Sequence, residues 1–310
     1  TVDIETLGGP IPEALPPSTI FAFAESTVQK GVLWAGSDDG LIHVSTDDGK
    51  SWGNVTPKEM PSRSLISIIE PSTHDPSSAY VAATCYKLDD TRPYLYKTDD
   101  FGKSWTKITN GVKEDDFTRV IREDPHRRGL LYAGTETGIH VSFNDGNDWQ
   151  SLQLNLPVVP IHDLVIKNND LVVATHGRSF WILDDITPLH QITEDISRQA
   201  AYLFKPRPAY RFPMWRTFPS QLESPKGMNY DRAAGPLVHA WHDVQKPNGD
   251  VVQTYLDAGK NPHDGIIIYY CLNQLKDTNI RIEFTEENDT TIRVFNSEDG
   301  KDEPIVPRQQ

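Results

Sequence analysis

Short apolar runs separated by glycine, proline, asparagine and aspartate recur along the first two thirds of this chain. Typical runs are residues 20–24, 129–135 and 170–175. Runs of this length, bounded by residues that favour turns, are typical of β-strands rather than helices. Before about residue 185, no segment keeps the 3.6-residue period of an amphipathic helix. The pattern therefore predicts an all-β fold for this part of the chain.

The runs fall into four similar units, which begin near residues 20, 65, 118 and 161. Each unit has an innermost strand followed by two further strands, and the first three units add a fourth strand. Repeats of about 40–50 residues built from short strands are typical of the blades of a β-propeller. The sequence therefore predicts about four blades between residues 18 and 204.

A shared motif precedes the fourth strand of the first three units. It reads S/T-x-D-x-G-x-S-W at residues 45–52 and 98–105, and S-x-N-x-G-x-D-W at residues 142–149. The defining positions are Ser45, Asp47, Gly49 and Trp52; Thr98, Asp100, Gly102 and Trp105; and Ser142, Asn144, Gly146 and Trp149. The fourth unit has residues 184–188 in place of the motif.

The residue types of the motif suit a turn at the outer rim of a blade. Asp or Asn can accept hydrogen bonds from the backbone N–H groups that follow it, and glycine permits a positive φ. The closing tryptophan can bury a large aromatic surface. We expect each motif to join the third and fourth strands of its blade, with Trp52, Trp105 and Trp149 largely buried between blades. A metal loop or a catalytic aspartate is the functional alternative.

The remainder of the chain has a weaker pattern. A short helix is predicted near residues 194–202, with Thr193 as its cap, followed by a proline-bearing linker at 205–208. Strand patterns return only at residues 265–272, 279–284 and 291–295. The predicted organisation is an extended arm (1–17), propeller blades (18–204), a linker and irregular segment (205–264), and a portion of a sandwich (265–310). Three strands are too few for a self-sufficient sandwich.

The motifs resemble the Asp-box, or BNR, repeats of sialidases, xyloglucanase-type glycoside hydrolases and sortilin-type (VPS10) receptors. Residues 129–135, 175–185 and 264–270 also resemble large bacterial Asp-box proteins described as glycosyl-hydrolase-like or sortilin-like. The resemblance implies a β-propeller followed by a partial immunoglobulin-like β-sandwich, in an exported protein of the extracellular space or periplasm. Propellers of this superfamily close with more than four blades. We therefore expect the missing blades to come from the rest of a longer polypeptide or from another chain.

The amino-acid composition disfavours some classes of binding partner. With 30 basic and 44 acidic residues, the net charge of −14 disfavours nucleic acid and anionic lipid as ligands. No apolar run is long enough to span a bilayer. Cys85 and Cys271 can be two buried thiols or a long-range disulfide. The familiar nucleotide and zinc motifs do not occur in the sequence, and we predict no cofactor and no metal.

Ligands of propellers meet the ends of the innermost strands around the central channel. The ligand-binding candidates there, or on neighbouring loops, are Arg63, Arg119, Arg122, His162, His176, Arg178 and Tyr86. His176 and Arg178 can bind an anion or a sugar hydroxyl, or form a structural turn in which Arg178 pairs with Asp184 or Asp185. Tyr86 can stack on a ligand or fill the gap between blades. The arginines form no convincing sialidase triad.

Two functions follow from these candidates. The first is a non-catalytic module that binds protein or glycan through its channel face. The second is a glycoside hydrolase acting on a polysaccharide, because such enzymes need two carboxylates that face each other across a cleft. Glu70, Glu123 and Asp163 are the candidate catalytic residues, and solvated loop carboxylates are the alternative interpretation.

Overall fold

The computed structural model describes residues 19–209, 229–232, 238–245, 249, 251–255, 265–273 and 279–297. The chain divides into two compact units. The first comprises Thr1–His190 and Pro206–Ile267, and the second comprises Gln191–Lys205 and Ile268–Gln310. The predicted arm at residues 1–17 lies outside the described residues.

Four antiparallel sheets form the four predicted blades, and each is ordered as in the sequence. Blade 1 contains β1 (Ile20–Glu25), β2 (Leu33–Ser37), β3 (Ile42–Ser45) and β4 (Gly53–Asn54). Blade 2 contains β5 (Leu65–Pro71), β6 (Ala79–Cys85), β7 (Asp90–Thr98) and β8 (Thr106–Lys107), with a 3₁₀ turn at Tyr86–Leu88. Blade 3 contains β9 (Thr118–Glu123), β10 (Leu131–Thr135), β11 (Ile139–Ser142) and β12 (Gln150–Ser151). Blade 4 contains β13 (Ile161–Lys167), β14 (Asp170–Thr175) and β15 (Phe180–Leu183).

Three apolar cores lie between successive blades. Trp34 of blade 1 and Ile66 of blade 2 belong to the first core, and Leu95 and Ile121 belong to the second, between blades 2 and 3. The third core joins blades 3 and 4. Blades 2 and 3 have a neighbouring blade on each side, so their second strands are buried on both faces, as stacked blades require.

The innermost strand of every blade has an irregularity at the same place. Its register with the second strand shifts by one residue, which leaves one extra residue near the start of the strand. The extra residues are Phe21, Ser67, Arg119 and His162. A bulge of this kind bends the strand and redirects a side chain. The repeat therefore presents one re-aimed side chain per blade at the same end of the channel.

The shared motifs form the predicted turns between the third and fourth strands. Oδ1 of Asp47 accepts a hydrogen bond from the N–H of Ser51 at 2.9 Å, and Asp100 accepts the same bond from Ser104. The Ser45 hydroxyl accepts the N–H of Gly49, whose φ of +79° favours glycine. Hydrogen bonds from Ser51 and Ser45 lower the pKa of Asp47 to about 2. The motif is a turn staple, as expected.

The burial prediction for the tryptophans is correct for Trp149, which is 4% exposed, and wrong for Trp52, which is 41% exposed. Trp105 is half-buried. Nε1 of Trp105 donates to the carbonyl of Val55 at 2.6 Å, and Nε1 of Trp149 donates to the carbonyl of Ile108 at 2.7 Å. Each tryptophan therefore packs on the preceding blade. In the described ranges no blade precedes the first, so Trp52 has no such partner.

The third motif differs from the other two at two positions, and the two differences together preserve a side-chain hydrogen bond. In the first two, a serine hydroxyl donates to the carboxylate at 2.6 Å, as Ser104 does to Asp100. In the third, Nδ2 of Asn144 donates to the carboxylate of Asp148 at 2.9 Å. The donor and the acceptor have changed places, and the backbone bond from the N–H of Asp148 to Asn144 is kept.

We expect Asn144→Asp to lower the free energy of unfolding by about 1–2 kcal/mol, because it replaces a hydrogen bond with two facing carboxylates. The double variant Asn144→Asp/Asp148→Ser restores the arrangement of the first two motifs and should recover most of the loss. Urea unfolding of the three proteins measures both effects. Equal stability of the single and double variants would contradict the exchange.

The segments beyond blade 4 differ from the prediction in several places. The residues predicted as irregular contain the sheet of β17 (Asn229–Arg232), β18 (Val238–Gln245) and β19 (Val251–Tyr255). Short helices form at α1 (Thr187–Gln191), which was not predicted, and at α2 (Glu194–Arg198). Thr193 occupies the N-cap position of α2, as predicted, but its side chain makes no capping hydrogen bond. The C-terminal residues of the predicted helix belong to a strand instead.

That strand, β16 (Ala201–Leu203), pairs with β20 (Tyr270–Leu272). Residues 201–203 and 270–272 are therefore strands because they pair with each other over a long sequence separation. Residues 266–269 of the predicted strand are irregular. The final hairpin is β21 (Arg281–Thr285) with β22 (Thr291–Asn296), as predicted. An immunoglobulin-like sandwich remains a prediction. Cys85 and Cys271 are both free thiols; Cys85 is buried and Cys271 is partly buried.

Candidate functional site

Four of the predicted ligand-binding residues, one from blade 2 and three from blades 3 and 4, lie together at the end of the blades where the innermost strands begin. We call this group, with two further side chains, the inner-end cluster. Its members are Tyr86, Phe117, Arg119, Glu136, His162 and His176. The bulges in β9 and β13 supply Arg119 and His162, and the loops after β10 and β14 supply Glu136 and His176.

Arg119 is held on two sides. Its Nε and Nη2 donate to the same carboxylate oxygen of Glu136 at 2.8 and 2.6 Å. Its guanidinium carbon lies 4.8 Å from the ring centroid of Phe117 and 5.4 Å from that of Tyr86. The two rings are themselves stacked, with centroids 5.1 Å apart. Among the described residues Nη1 has no hydrogen-bond partner, so one edge of a fixed guanidinium is free to donate.

The two histidines form an exposed pair beside Arg119. Their ring centroids lie 4.8 Å apart, with an angle of 32° between the ring planes. Burial, the positive charge of Arg119 and the neighbouring His176 lower the pKa of His162. A neutral imidazole has one donor and one acceptor nitrogen. The cluster therefore combines a cation, an aromatic surface and imidazole hydrogen-bonding groups.

The predicted carboxylates Glu70 and Asp163 are joined by Arg122, deeper along the innermost strands. Nη1 of Arg122 lies 2.7 Å from Glu70, and Nη2 lies 2.7 Å from Asp163. Nε of Arg122 donates to the carbonyl of Leu164. Three successive blades thus each contribute one residue to an acid–arginine–acid triad, from β5, β9 and β13.

Partial burial and the neighbouring charges shift the pKa values of Glu70 and Arg122 in the triad. Burial raises the pKa of Glu70, and the charge of Arg122 opposes this effect. Burial alone acts to lower the pKa of Arg122, but Glu70 and Asp163 outweigh it and the pKa is raised. Asp163 is 56% exposed, whereas Glu70 is 18% exposed. The triad therefore has one enclosed and one open carboxylate.

The structure does not place Glu123 in the channel. The residue is buried between blades 2 and 3, where its carboxylate accepts hydrogen bonds from Ser72, Thr73 and Tyr80. The neighbouring Asp124 is fully buried and contacts His190 at 2.8 Å. The predicted position of Glu123 at the channel is therefore wrong, because the strand directs this side chain toward the adjacent blade.

The remaining candidates have simpler surroundings. Arg63 lies exposed in the loop before β5, with a positive φ of 64°. Arg178 is also exposed, and no ion pair joins it to Asp184 or Asp185 in the described structure. Its carbonyl instead accepts Nε1 of Trp181, so the predicted pairing of Arg178 is wrong. Tyr86 stacks on Phe117 and remains 39% exposed, so stacking of a ligand on this residue stays a prediction.

Sequence reasoning missed Phe117 and Glu136. The signal for Glu136 was present, because Thr135 and Glu136 correspond in the repeat to Thr175 and His176. Arg119 and His162 likewise occupy corresponding bulges. The same two positions of the repeat therefore carry the ion pair of Arg119 and Glu136 in blade 3 and the two histidines, His162 and His176, in blade 4.

Among the described residues, no three His, Cys, Asp or Glu side chains converge in a way that could hold a metal ion. No helix in the same part of the chain is both long and apolar enough to cross a membrane.

The chain is similar in sequence to members of two protein classes, the xyloglucanase-type and the VPS10-type proteins. No protein-family model matches it. An oligoxyloglucan-reducing end-specific xyloglucanase of Emericella nidulans is 26% identical over 106 residues, and covers 34% of this chain. A vacuolar protein sorting/targeting protein 10 of Laccaria bicolor is 30% identical over 122 residues, and covers 38%. The resemblance to xyloglucanase-type and VPS10-type proteins is confirmed.

The matches are partial. The chain spans 13% of the length of the xyloglucanase and 7% of that of the sorting/targeting protein. Among solved structures, "YCF48 bound to D1 peptide" superimposes with a TM-score of 0.42 and 18% identity, covering 54% of this chain and 52% of the other.

Proposed function

We propose that this chain is part of an exported β-propeller protein that binds a protein or glycan ligand at the inner-end cluster. The observation that carries the proposal is the fixed Arg119, which is stacked on Phe117 and Tyr86 beside the exposed His162 and His176. Aromatic faces with adjacent hydrogen-bonding groups suit sugar rings and peptide side chains alike. The curated relatives supply the two ligand classes, since one is named for action on xyloglucan and the other for protein sorting.

The second candidate function is glycoside hydrolysis by Glu70 and Asp163. The observation that favours it is the contrast between the two carboxylates, because a buried acid with a raised pKa suits a general acid. Their shared contact with Arg122 argues for binding instead, since a guanidinium that bonds both carboxylates occupies the space a substrate would need. Glycoside hydrolysis is thus the less favoured proposal.

One assay separates these functions. The full chain is titrated with a panel of soluble polysaccharides, including xyloglucan, and with a peptide library, while release of reducing ends is followed. We expect saturable binding to one class, and Arg119→Ala and His162→Gln should each weaken it about tenfold, or about 1.4 kcal/mol. Arg128→Ala is the matched control, because Arg128 is 63% exposed and lies outside the cluster.

The outcomes are distinct. Binding that is unchanged in both cluster variants would exclude the inner-end cluster as the ligand site. Release of reducing ends that is lost in Glu70→Gln and Asp163→Asn, but retained in Arg119→Ala, would establish hydrolysis instead. Release that survives all of these substitutions would mean that neither site is responsible.

A further inference from the structure

The unused hydrogen-bonding groups of the inner-end cluster are mostly donors. Glu136 takes up Nε and Nη2 of Arg119, which leaves Nη1 with two unused N–H groups. The hydrogen bonds of the described residues include none from the rings of His162 and His176, and both side chains are exposed. The carboxylate of Glu136 is already engaged by Arg119. A ligand that satisfies these groups must therefore supply acceptors.

The fixed charges of the cluster cancel. Arg119 and Glu136 form an ion pair at 2.6 Å. Burial, Arg119 and His176 lower the pKa of His162 from its ordinary value of 6.5, and Glu136 opposes this effect. These three residues, from β9 and from the loops after β10 and β14, are the titratable groups that act on His162. An anion that enters the cluster therefore adds a negative charge, which a proton on His162 would balance.

A carboxylate beside His162 reverses the effect that keeps this imidazole neutral. An opposite charge within hydrogen-bond reach favours the protonated form and raises the pKa. Binding of a carboxylate and binding of a proton at His162 are therefore coupled, and each strengthens the other by the same factor. The carboxylate then accepts charge-assisted hydrogen bonds from an imidazolium and from the guanidinium of Arg119.

An exposed aromatic ring lies next to these donors. Tyr86 belongs to the 3₁₀ turn between β6 and β7, stacks on Phe117 and keeps 39% of its surface exposed. Its ring centroid lies 5.4 Å from the guanidinium carbon of Arg119. The apolar face of a sugar ring packs well on an aromatic surface of this kind. A carboxylate carried by a sugar ring therefore matches both the donors and the ring, whereas an acidic amino-acid side chain has no ring.

The net charge of the chain limits how acidic the ligand can be. With a net charge of −14, the protein repels a polyanion at long range. A glycan that carries a single carboxylate on an otherwise neutral chain avoids most of this repulsion. Such a ligand still supplies the one negative charge that the cluster can compensate.

We infer that the inner-end cluster recognises a largely neutral glycan through one uronic acid residue. Nη1 of Arg119 and the protonated His162 bind its carboxylate, and Tyr86 packs on its sugar ring. Binding of this glycan therefore takes up a proton. The inference rests on the proposed function and adds the ligand class that the cluster selects.

Matched probes test the inference by isothermal titration calorimetry of the full chain. They are xylotriose with one glucuronate branch, the methyl ester of the same compound, and xylotriose without the branch. A short peptide with one glutamate is the protein-like probe. We expect the acid to bind about tenfold more tightly than its ester near pH 6, where His162 can take up the proton.

The affinity for the acid should depend on pH. It should be about threefold to tenfold higher near pH 5.5 than near pH 8, because each unit by which the carboxylate raises the pKa of His162 is worth at most a factor of ten. The carboxylate of the probe stays ionised over this range. Titrations in two buffers that differ in ionisation enthalpy measure the proton uptake directly.

Three variants assign the effects to residues. His162→Gln keeps a neutral polar side chain and should abolish both the proton uptake and the pH dependence. Arg119→Lys keeps the charge but loses the planar fork, and should weaken binding of the acid about tenfold. Arg128→Ala is the control and should leave binding unchanged, because Arg128 is 63% exposed and lies outside the cluster.

The outcomes separate this inference from the proposed function. Equal affinity for the acid and its ester, or binding of the acid without proton uptake, would overturn the inference and leave a ligand site at the cluster. Tighter binding of the glutamate peptide, lost in the His162 and Arg119 variants, would overturn it in favour of a protein ligand. Failure of every probe to bind would overturn it too, and the wider ligand panel described above then decides the proposed function by itself.

Discussion

Replacing Trp149 with alanine is expected to lower the free energy of unfolding by about 3–5 kcal/mol, the range for removing a large buried aromatic side chain. Trp149 is 4% exposed, packs with Leu95 and Ile121 in the core between blades 2 and 3, and donates its Nε1–H to the carbonyl of Ile108. The substitution leaves a cavity and an unpaired carbonyl together. Urea unfolding followed by circular dichroism measures the loss.

The other two motif tryptophans provide the matched comparison. Trp105→Ala should cost about 3 kcal/mol, because Trp105 is half-buried and contacts the edge of Trp34 with ring centroids 6.2 Å apart. Trp52→Ala should cost less than about 1 kcal/mol, as is usual for an exposed side chain. Equal losses in all three variants would mean that each tryptophan stabilises its own hairpin rather than the interface with the preceding blade.

Replacing Arg122 with methionine is the second change for which we expect a large effect, about 3–5 kcal/mol at neutral pH. Removing one partner of an enclosed ion pair leaves an uncompensated charge, and Glu70 is the enclosed carboxylate here. Arg128→Met is the control and should change stability by less than about 0.5 kcal/mol, because Arg128 is exposed.

The loss in the Arg122 variant should depend on pH. Burial already raises the pKa of Glu70, and Arg122 opposes this effect, so its removal raises the pKa further. A carboxyl whose pKa is higher in the folded state binds more protons when folded, and the protein is therefore destabilised as the pH rises above the ordinary pKa of about 4.3. The variant should regain stability as the pH falls toward that value.

The double variant Arg122→Met/Glu70→Gln tests this explanation. It removes the enclosed charge, so most of the neutral-pH loss and its pH dependence should disappear. Unfolding midpoints between pH 5 and pH 8 supply the comparison. A loss in Arg122→Met that is independent of pH would show that packing of the arginine side chain, rather than the charge of Glu70, accounts for the effect.

Local chemistry explains why the blades could be predicted from the sequence. Ser45, Asp47 and Gly49 make their bonds within one turn, so the motif has the same structure wherever it occurs. The alternation of apolar residues with turn residues likewise identified all four innermost strands. By contrast, β16 and β20 are short strands that exist because they pair with each other across a long sequence separation. No local pattern in residues 201–203 indicates that partner.

The candidate site shows the same division. The repeat placed Arg119, His162 and His176 near the inner ends of the blades, and the sequence alone determined these positions. Only the tertiary structure decided which side chains meet. A one-residue bulge re-aims Arg119, so that Glu136 and the ring of Phe117 fix it, whereas the regular pleat turns Glu123 into the interface between blades.

The sequence by itself thus determined the all-β fold, the four blades and the turns that join their outer strands, because those features depend on contacts within one repeat. The tertiary structure decided the exposure of Trp52, the grouping of Glu70 with Arg122 and Asp163, and the burial of Glu123. Each of these depends on which blade lies beside a given face. Identical motifs therefore differ in burial for a reason that lies outside the repeat, in the presence or absence of a neighbouring blade.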